Sequence, residues 1–475
     1  MEKTTRITDP KNNEILPASF RDPSGFVFSR EGVIFRQINK VYKDDFDFLL
    51  GSGLCSDLTK SGLLVAHEEV SVASPRPDDA YKIIQPEKIP FISYPYEWSF
   101  SQLQDAALLT LELQKRALDY GMVLKDASAF NIQFLAGRPI LIDTLSFERI
   151  REGKPWVAYR QFCQHFLAPL ALMSRTDARL SQLLRVYIDG IPLDLASKLL
   201  PLKTILNVGL LFHLRLHARV QKKYSGKPEE AAKKNINKIS KRVLYGLADN
   251  LKSAVQKLRW DPSGTEWAEY YESTNYSGKA MAFKKAKVED YLKQVRPETV
   301  WDLGANTGEF SALAAAMGIP TVAFDIDPAC VDLHYRKVRE ENKSSVLPLV
   351  LDLVNPSPAT GWENRERSSF MERGPAGLVM ALALAHHLVI SNNVPLARLA
   401  EFFAKISQSL IIEFVPKTDS QVKRLLALRK DVFPDYNIEG FVSAFSLYFT
   451  IDDRCEIPES GRTLFLLRRR GLTLH

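Results

Sequence analysis

Apolar and polar positions follow different periods in different parts of the chain. Between residues 20 and 100 short apolar runs alternate with polar turns, which predicts a β-rich region. FVFSREGVIFRQI carries two such runs around Ser29-Arg30-Glu31-Gly32 and reads as a hairpin. GLLVAHEEV and KIIQPEKIPFISYP add strand candidates, the latter interrupted by Pro86 and Pro90. From Ser101 the spacing turns helical: Leu103, Ala106, Ala107, Leu111 and Leu118 share one face, and Gly121 supplies the stop. Leu108, Leu109 and Leu113 widen the apolar surface, so a well-buried helix is expected. Trp156, Tyr159, Phe162, Phe166 and Leu170 continue at helical spacing and read as core, with His165, His213 and His217 in structural roles.

Beyond Trp260 strands and helices alternate. The apolar runs VWDL, TVAFD, VLPLVLDL, GLVMALALAHHLV and SLIIEFVP are separated by helical stretches such as DPACVDLHYRKVREEN. This alternation predicts an α/β fold with a mainly parallel sheet. A helix over VKRLLALRKDVF, then strands over FVSAFSLYFTI and TLFLLRRR, are the last expected elements, an order that resembles the antiparallel final pair closing a methyltransferase sheet.

The chemistry concentrates where the first of these strands ends. TVWDLGANTGEFSALAAAMGIPTVAFDID is a strand ending in Asp302, a turn through Gly304, Asn306 and Gly308, a helix, and a second strand ending in Asp325 and Asp327. Gly304 allows a ligand to approach the backbone, and Gly308 allows close packing where the helix begins. Asp325, twenty-one residues beyond Gly304, is placed to accept hydrogen bonds from ribose hydroxyls. These features are shared by NAD and S-adenosylmethionine sites. The full G-x-G-x-x-G fingerprint of dinucleotide sites is missing, however. Asp302 would face a pyrophosphate badly and suits an ammonium group.

D-x-G-x-x-x-G followed by FDID resembles the class I S-adenosylmethionine-dependent methyltransferases over about Trp260 to Arg470. The resemblance implies S-adenosylmethionine as cofactor, with Asp302, Gly304, Asn306, Gly308 and Asp325 around it and Asp352 hydrogen-bonding the adenine amino group. It also implies that Trp267, Tyr270, Tyr271 and Tyr276 form an aromatic lead-in near the cofactor or substrate, with packing against the sheet edge as the alternative. His386 and His387 follow the fourth strand, where a parallel sheet opens its ligand crevice. Histidine has a pKa near neutrality, so either is a general-base candidate. Glu413, at the next strand end, is a candidate for orienting the substrate or that base.

A second constellation lies in MVLKDASAFNIQFLAGRPILIDTLSFE. Asp126, Asn131 and Asp143 stand in an order that resembles the catalytic segment of the protein kinase-like superfamily. The resemblance implies Asp126 as base, Asn131 and Asp143 as Mg²⁺ ligands, and Mg-ATP as cosubstrate if this half is active. The pattern departs from the family: no histidine precedes Asp126, Thr-Leu-Ser follows Asp143, and neither a glycine-rich phosphate loop nor a phosphate-pairing lysine is evident upstream. The whole chain, through DASAFNIQF, WVAYRQFC and ALAHHL, also resembles bacterial nodulation-type methyltransferase proteins.

Length and charge refine this organisation. A chain of 475 residues exceeds one ordinary domain. The expected division is an α+β, kinase-like domain over 1–220, a basic linker or helix over 221–259, and a methyltransferase domain over 260–475. The segment Gln221–Trp260 carries eleven Lys or Arg against three acidic residues, which accounts for the whole net charge of +7. Without an aromatic stacking platform, it reads as a solvated face and nucleic acid is not an expected partner. Cys55, Cys163, Cys330 and Cys455 lack metal-type spacing and are expected as reduced thiols. No metal site is otherwise expected. No apolar run reaches membrane-spanning length and MEKTTRITDPKNNE lacks the core of a signal peptide, so a cytoplasmic location is the expectation. Three functions fit: methylation of a small molecule or glycan; the same with phosphorylation by the N-terminal half; or methylation with that half as a noncatalytic substrate-binding module.

Overall fold

The computed structural model describes residues 14–151, 153–206, 208–216, 239–263, 276–341, 345–427 and 430–471. The chain forms two compact units. The first comprises Met1–Tyr96, Gln102–Trp260 and Ala359–Arg367; the second comprises Glu97–Ser101, Asp261–Pro358 and Ser368–His475.

The first unit begins with an antiparallel sheet. Strands β1 (Glu14–Ile15), β2 (Gly25–Arg30), β3 (Val33–Asn39), β4 (His67–Glu69) and β5 (Ala80–Pro86) lie in the order β1-β2-β3-β5-β4. The predicted hairpin is β2 and β3, closed by Glu31 and Gly32, both at positive φ as a tight two-residue turn requires. Ile38, Tyr42, Phe46, Ile84 and Leu145 form one of its cores. IPFISYP carries no strand: two prolines deprive that stretch of ladder donors.

The helix Phe100–Asp119 follows, ending two residues before Gly121. Then come two short antiparallel pairs, β6 (Met122–Leu124) with β9 (Phe147–Arg149) and β7 (Ile132–Leu135) with β8 (Arg138–Leu141). The aromatic repeat after Trp156 is helical through Arg175, with a π turn at Cys163–Leu167. His213 is structural: Tyr159 Oη lies 2.7 Å from its Nδ1 and Asn250 Oδ1 2.7 Å from its Nε2. His217 and most of the basic run lie outside the described residues, while the helix Lys241–Gln256 belongs to this unit.

The second unit is built on β10 (Val300–Leu303), β11 (Thr321–Asp325), β12 (Val346–Val350), β13 (Ala376–Ala381), β14 (Ser407–Phe414), β15 (Phe449–Glu456) and β16 (Thr463–Arg469). Their order is β12-β11-β10-β13-β14-β16-β15, with the first five parallel and the last two antiparallel. This is the Rossmann-like arrangement implied by the resemblance. Val300, Leu378, Met380 and Ile411 pack on one face beneath the helix Gly278–Val295. Trp301, Phe324 and Phe370 pack together, Phe324 edge-on to the other two, with ring centroids 4.9 to 5.7 Å apart. Neighbouring residues in β10 thus serve different clusters, as period-two strand geometry demands.

One expectation fails here. FVSAF is helical, within Ile438–Ser446, and the strand begins only at Phe449. Asn437 caps the helix by accepting the Gly440 N–H at 2.8 Å, and Phe441 and Phe445 share its buried face. The aromatic run that looks strand-like is the i,i+4 stripe of a capped helix.

Candidate functional site

The strand order reverses at β10, whose neighbours are β11 and β13. In open parallel sheets, ligands bind at such a point, beyond the carboxyl ends of the strands. A cavity of about 510 Å³ lies there, a size suited to a small-molecule ligand. Its walls come from successive strand ends: Asp302 within β10 and Gly304 just after it, Asp325 as the last residue of β11 and Ile326 after it, Asp352 after β12, and Leu384 after β13.

The turn after β10 is held by its own hydrogen bonds. Asn306, at φ +51°, donates its backbone N–H to Asp325 Oδ2 at 2.8 Å. Asp325 Oδ1 accepts from the Asp327 N–H at 2.9 Å. Asp302 accepts the Ser311 hydroxyl at 2.6 Å. Burial pushes both Asp302 and Asp325 up to about 6; each is an anion with few compensating charges. At Gly308, φ is +86° and an added Cβ would lie 2.0 Å from His334 Nε2. Gly308 therefore closes the turn against a histidine and does not line the cavity, whereas Asn306 and Gly304 do. Asp352 also lines it, two residues past β12, with one oxygen accepting the Val354 N–H at 2.8 Å.

The two histidines separate. His387 opens a π turn, His387–Ser391, and lines the cavity with Leu388 and Ser391. His386 is buried, is not among the cavity-lining residues, and its Nδ1 has no hydrogen-bond partner among the described residues. Their rings are 4.1 Å apart. Burial, and then the Arg462 charge, lower His387 to about 4; burial drives His386 well below the usual histidine value.

Glu413 is fully buried in β14 and is not a lining residue. It pairs with Lys284 at 2.7 Å and Arg462 at 3.6 Å and accepts the Tyr276 hydroxyl. Arg462 in turn pairs with Asp419 at 2.8 Å. Burial alone would raise Glu413, but Lys284 and Arg462 override it and hold the carboxyl below its ordinary value. Lys284 and Tyr276 carry this network to the cavity wall. Trp267, Tyr270 and Tyr271 of the aromatic lead-in lie outside the described residues.

Sequence reasoning missed Lys284. Its signal was positional: Ala280, Lys284, Val288 and Leu292 stand four residues apart, and all are buried. A lysine inside an apolar stripe needs a partner or a ligand.

In the first unit Asp126, Asn131 and Asp143 come together. Burial, and then the Asp143 charge, raise Asp126, whose Oδ1 accepts from Gln161 at 2.7 Å. Asp143 is held by Arg36, from β3, at 2.6 Å and by the Ser146 hydroxyl at 2.7 Å. Lys125 donates to Ser24 at 2.6 Å. Among the described residues no cluster of three or more His, Cys, Asp or Glu is arranged to hold a metal ion. All four cysteines are free thiols, three of them buried. Among the described residues no helix is long and apolar enough to cross a membrane.

No protein-family model matches the chain. Among solved structures it is similar to the bifunctional kinase-methyltransferase WbdD, at 17% identity over 41% of this chain and 40% of that one, with a TM-score of 0.28. It is also similar to magnesium protoporphyrin IX methyltransferase from Synechocystis PCC 6803 with bound SAH (16% identity, 40% and 84% covered, TM-score 0.30). N-methyltransferase NodS from Bradyrhizobium japonicum WM9 gives 11% identity, with 41% and 99% covered and a TM-score of 0.30. A far stronger match is nodulation protein NoeA of Rhizobium meliloti (strain 1021), 36% identical over 459 residues. Because that alignment takes in 96% of both chains, the protein belongs to the family of nodulation protein NoeA.

Proposed function

We propose that the second unit is an S-adenosylmethionine-dependent methyltransferase acting on a small-molecule or glycan acceptor. The observation that carries this is the pair of buried carboxylates, Asp302 and Asp325, at the ends of adjacent parallel strands and flanking a glycine turn on one cavity. The site fits the cofactor. Each Asp325 oxygen accepts one backbone N–H and keeps lone-pair capacity for a ribose hydroxyl. Asp302 has no cation within ion-pair distance among the described residues and suits an ammonium, while Asp352, on the same wall, would hold the adenine amino group. Leu351, Leu353 and Ile326 supply apolar surroundings for the base.

When bound, the cofactor supplies an electrophilic methyl group, and the protein's task is alignment and proton handling. Of the two histidines, His387 is the one that meets the acceptor, because it lines the cavity. Its lowered pKa keeps the imidazole neutral at pH 7, with a lone pair able to accept the proton of an acceptor hydroxyl or amine. Glu413 acts indirectly, fixing Lys284 and Tyr276 at the wall.

Calorimetry tests the reading. S-adenosylmethionine should bind the full chain, and Asp325→Ala should weaken binding by about 10²-fold or more, the scale of two lost charge-assisted hydrogen bonds. No heat with the wild-type protein, or unchanged affinity in the variant, would sink it.

For the first unit we infer a noncatalytic role. Arg36 already neutralises Asp143, the carboxylate that a kinase-like enzyme would give to Mg²⁺. This supports a module that binds or presents the acceptor over one that transfers phosphate.

A further inference from the structure

Resting on the methyltransferase reading above, we propose that the acceptor is an anion, a hydroxylated molecule bearing a carboxylate or a phosphate, and that Arg424 selects it at the mouth of the cavity.

The acids that line the cavity among the described residues all stand at the ends of three strands: Asp302 in β10, Asp325 closing β11 and Asp352 after β12. The lining that follows β13 and β14 is different. The π turn supplies His387, Ser391 and Asn392, and the helix Ser420–Leu426 supplies Gln421, Arg424 and Leu425. Among the described residues this second wall contributes no acid. Ser391, Asn392 and Arg424 are exposed and mark the mouth, while His387 is half-buried.

Local structure fixes which side chains this wall offers. Asp419 caps the helix: one carboxylate oxygen accepts the Gln421 N–H at 2.8 Å, and the other accepts the Arg462 guanidinium at 2.8 Å. Val422 is buried beneath, so Gln421, Arg424 and Leu425, at i, i+3 and i+4, share the face that lines the cavity. On the turn, the Asn392 backbone N–H and side-chain amide both donate to the His387 carbonyl, at 3.2 and 3.1 Å. Asn392 is thereby pinned beside the candidate base.

Lys284, the other cation of the lining, is committed to Glu413 at 2.7 Å. Arg424 makes no hydrogen bond or ion pair among the described residues, and the acid that caps its helix has both oxygens engaged. A guanidinium offers a planar fork that fits a carboxylate or phosphate in a bidentate pair. Ser391, Asn392 and Gln421 offer the neutral donors and acceptors that hydroxyl groups need. The charge on Arg462 also reaches this wall, since it helps to lower His387. The cavity is thus acidic where a cationic methyl donor would lie and positive where the acceptor enters. An anion is drawn toward the sulfonium it must meet, and a cation is turned away. The anionic group stays on Arg424 while a hydroxyl or amine of the same molecule reacts. Its lone pair forms the bond to the methyl carbon as the carbon–sulfur bond breaks, the sulfur keeps that pair, and the proton passes to His387.

The test uses the full chain loaded with S-adenosylhomocysteine and three matched probes: glucose, glucuronate, and glucose phosphorylated at its terminal hydroxyl. By ligand-observed NMR titration, wild type should bind at least one charged probe about tenfold or more tightly than glucose, the scale of one charge-assisted pair. The probe that gains distinguishes carboxylate from phosphate. Arg424→Gln should bring that probe to within about twofold of glucose, and Arg424→Lys, which keeps the charge and loses the fork, should restore part of the preference. A preference that persists in Arg424→Gln overturns the assignment, as does wild type that prefers neither charged probe. Both results leave the cofactor reading intact. Wild type that fails to bind S-adenosylhomocysteine removes the cofactor reading itself, and this inference with it.

Discussion

Asp302 and Asp325 enter the free protein at a cost, since each carboxyl is raised to about 6 by burial. A carboxyl whose folded pKa exceeds its unfolded one favours the fold below the unfolded value near 4 and loses that contribution as pH rises through 6. A cationic ligand reverses the balance, because it binds the ionised forms. Affinity for S-adenosylmethionine should therefore fall by about tenfold for each participating carboxylate between pH 7 and pH 5. His387 titrates near 4, below this window, so the fall belongs to the aspartates. Titration calorimetry across that range checks this, and a flat profile would mean that neither carboxylate meets the ligand's charge.

At the scale of elements, the strand-turn-helix from β10 organises the cavity, and its weakest tolerance is at Gly308. A side chain there meets both an unfavourable φ of +86° and the His334 ring. Gly308→Ala should destabilise the second unit by about 1–3 kcal/mol, read by chemical denaturation, and lower cofactor affinity with it. This element was legible in the sequence because the turn requires glycines and the ligand requires acids at fixed spacing. Lys284 was legible only as a misfit, a charge in an apolar stripe whose partner, Glu413, lies 129 residues away. The Arg36–Asp143 pair was not legible, since no local pattern links β3 to a strand end so distant in the chain. The helix at Ile438 was misread because its aromatic residues favour strands until the Asn437 cap is weighed.

At the scale of the whole chain, two sites of different character sit in two units. The second has a cavity at its strand ends, while the first holds Asp143 in an internal ion pair with Arg36. Titration of the full chain with Mg-ATP should accordingly show no binding. Metal-dependent ATP binding that Asp143→Ala abolishes would instead make the protein bifunctional.

The units are also interleaved along the sequence. Ala359–Arg367 belongs to the first unit, where Glu366 pairs with Arg21 at 2.5 Å and the Arg367 guanidinium lies 4.5 Å from the Phe130 ring centroid. During synthesis, domains ordinarily fold as they emerge, N-terminal first. Here the N-terminal unit must wait for Arg367 to leave the ribosome before its last segment is in place. Its assembly is thereby timed to that of most of the methyltransferase fold, and neither unit is a fragment that a single cut in the gene would release intact.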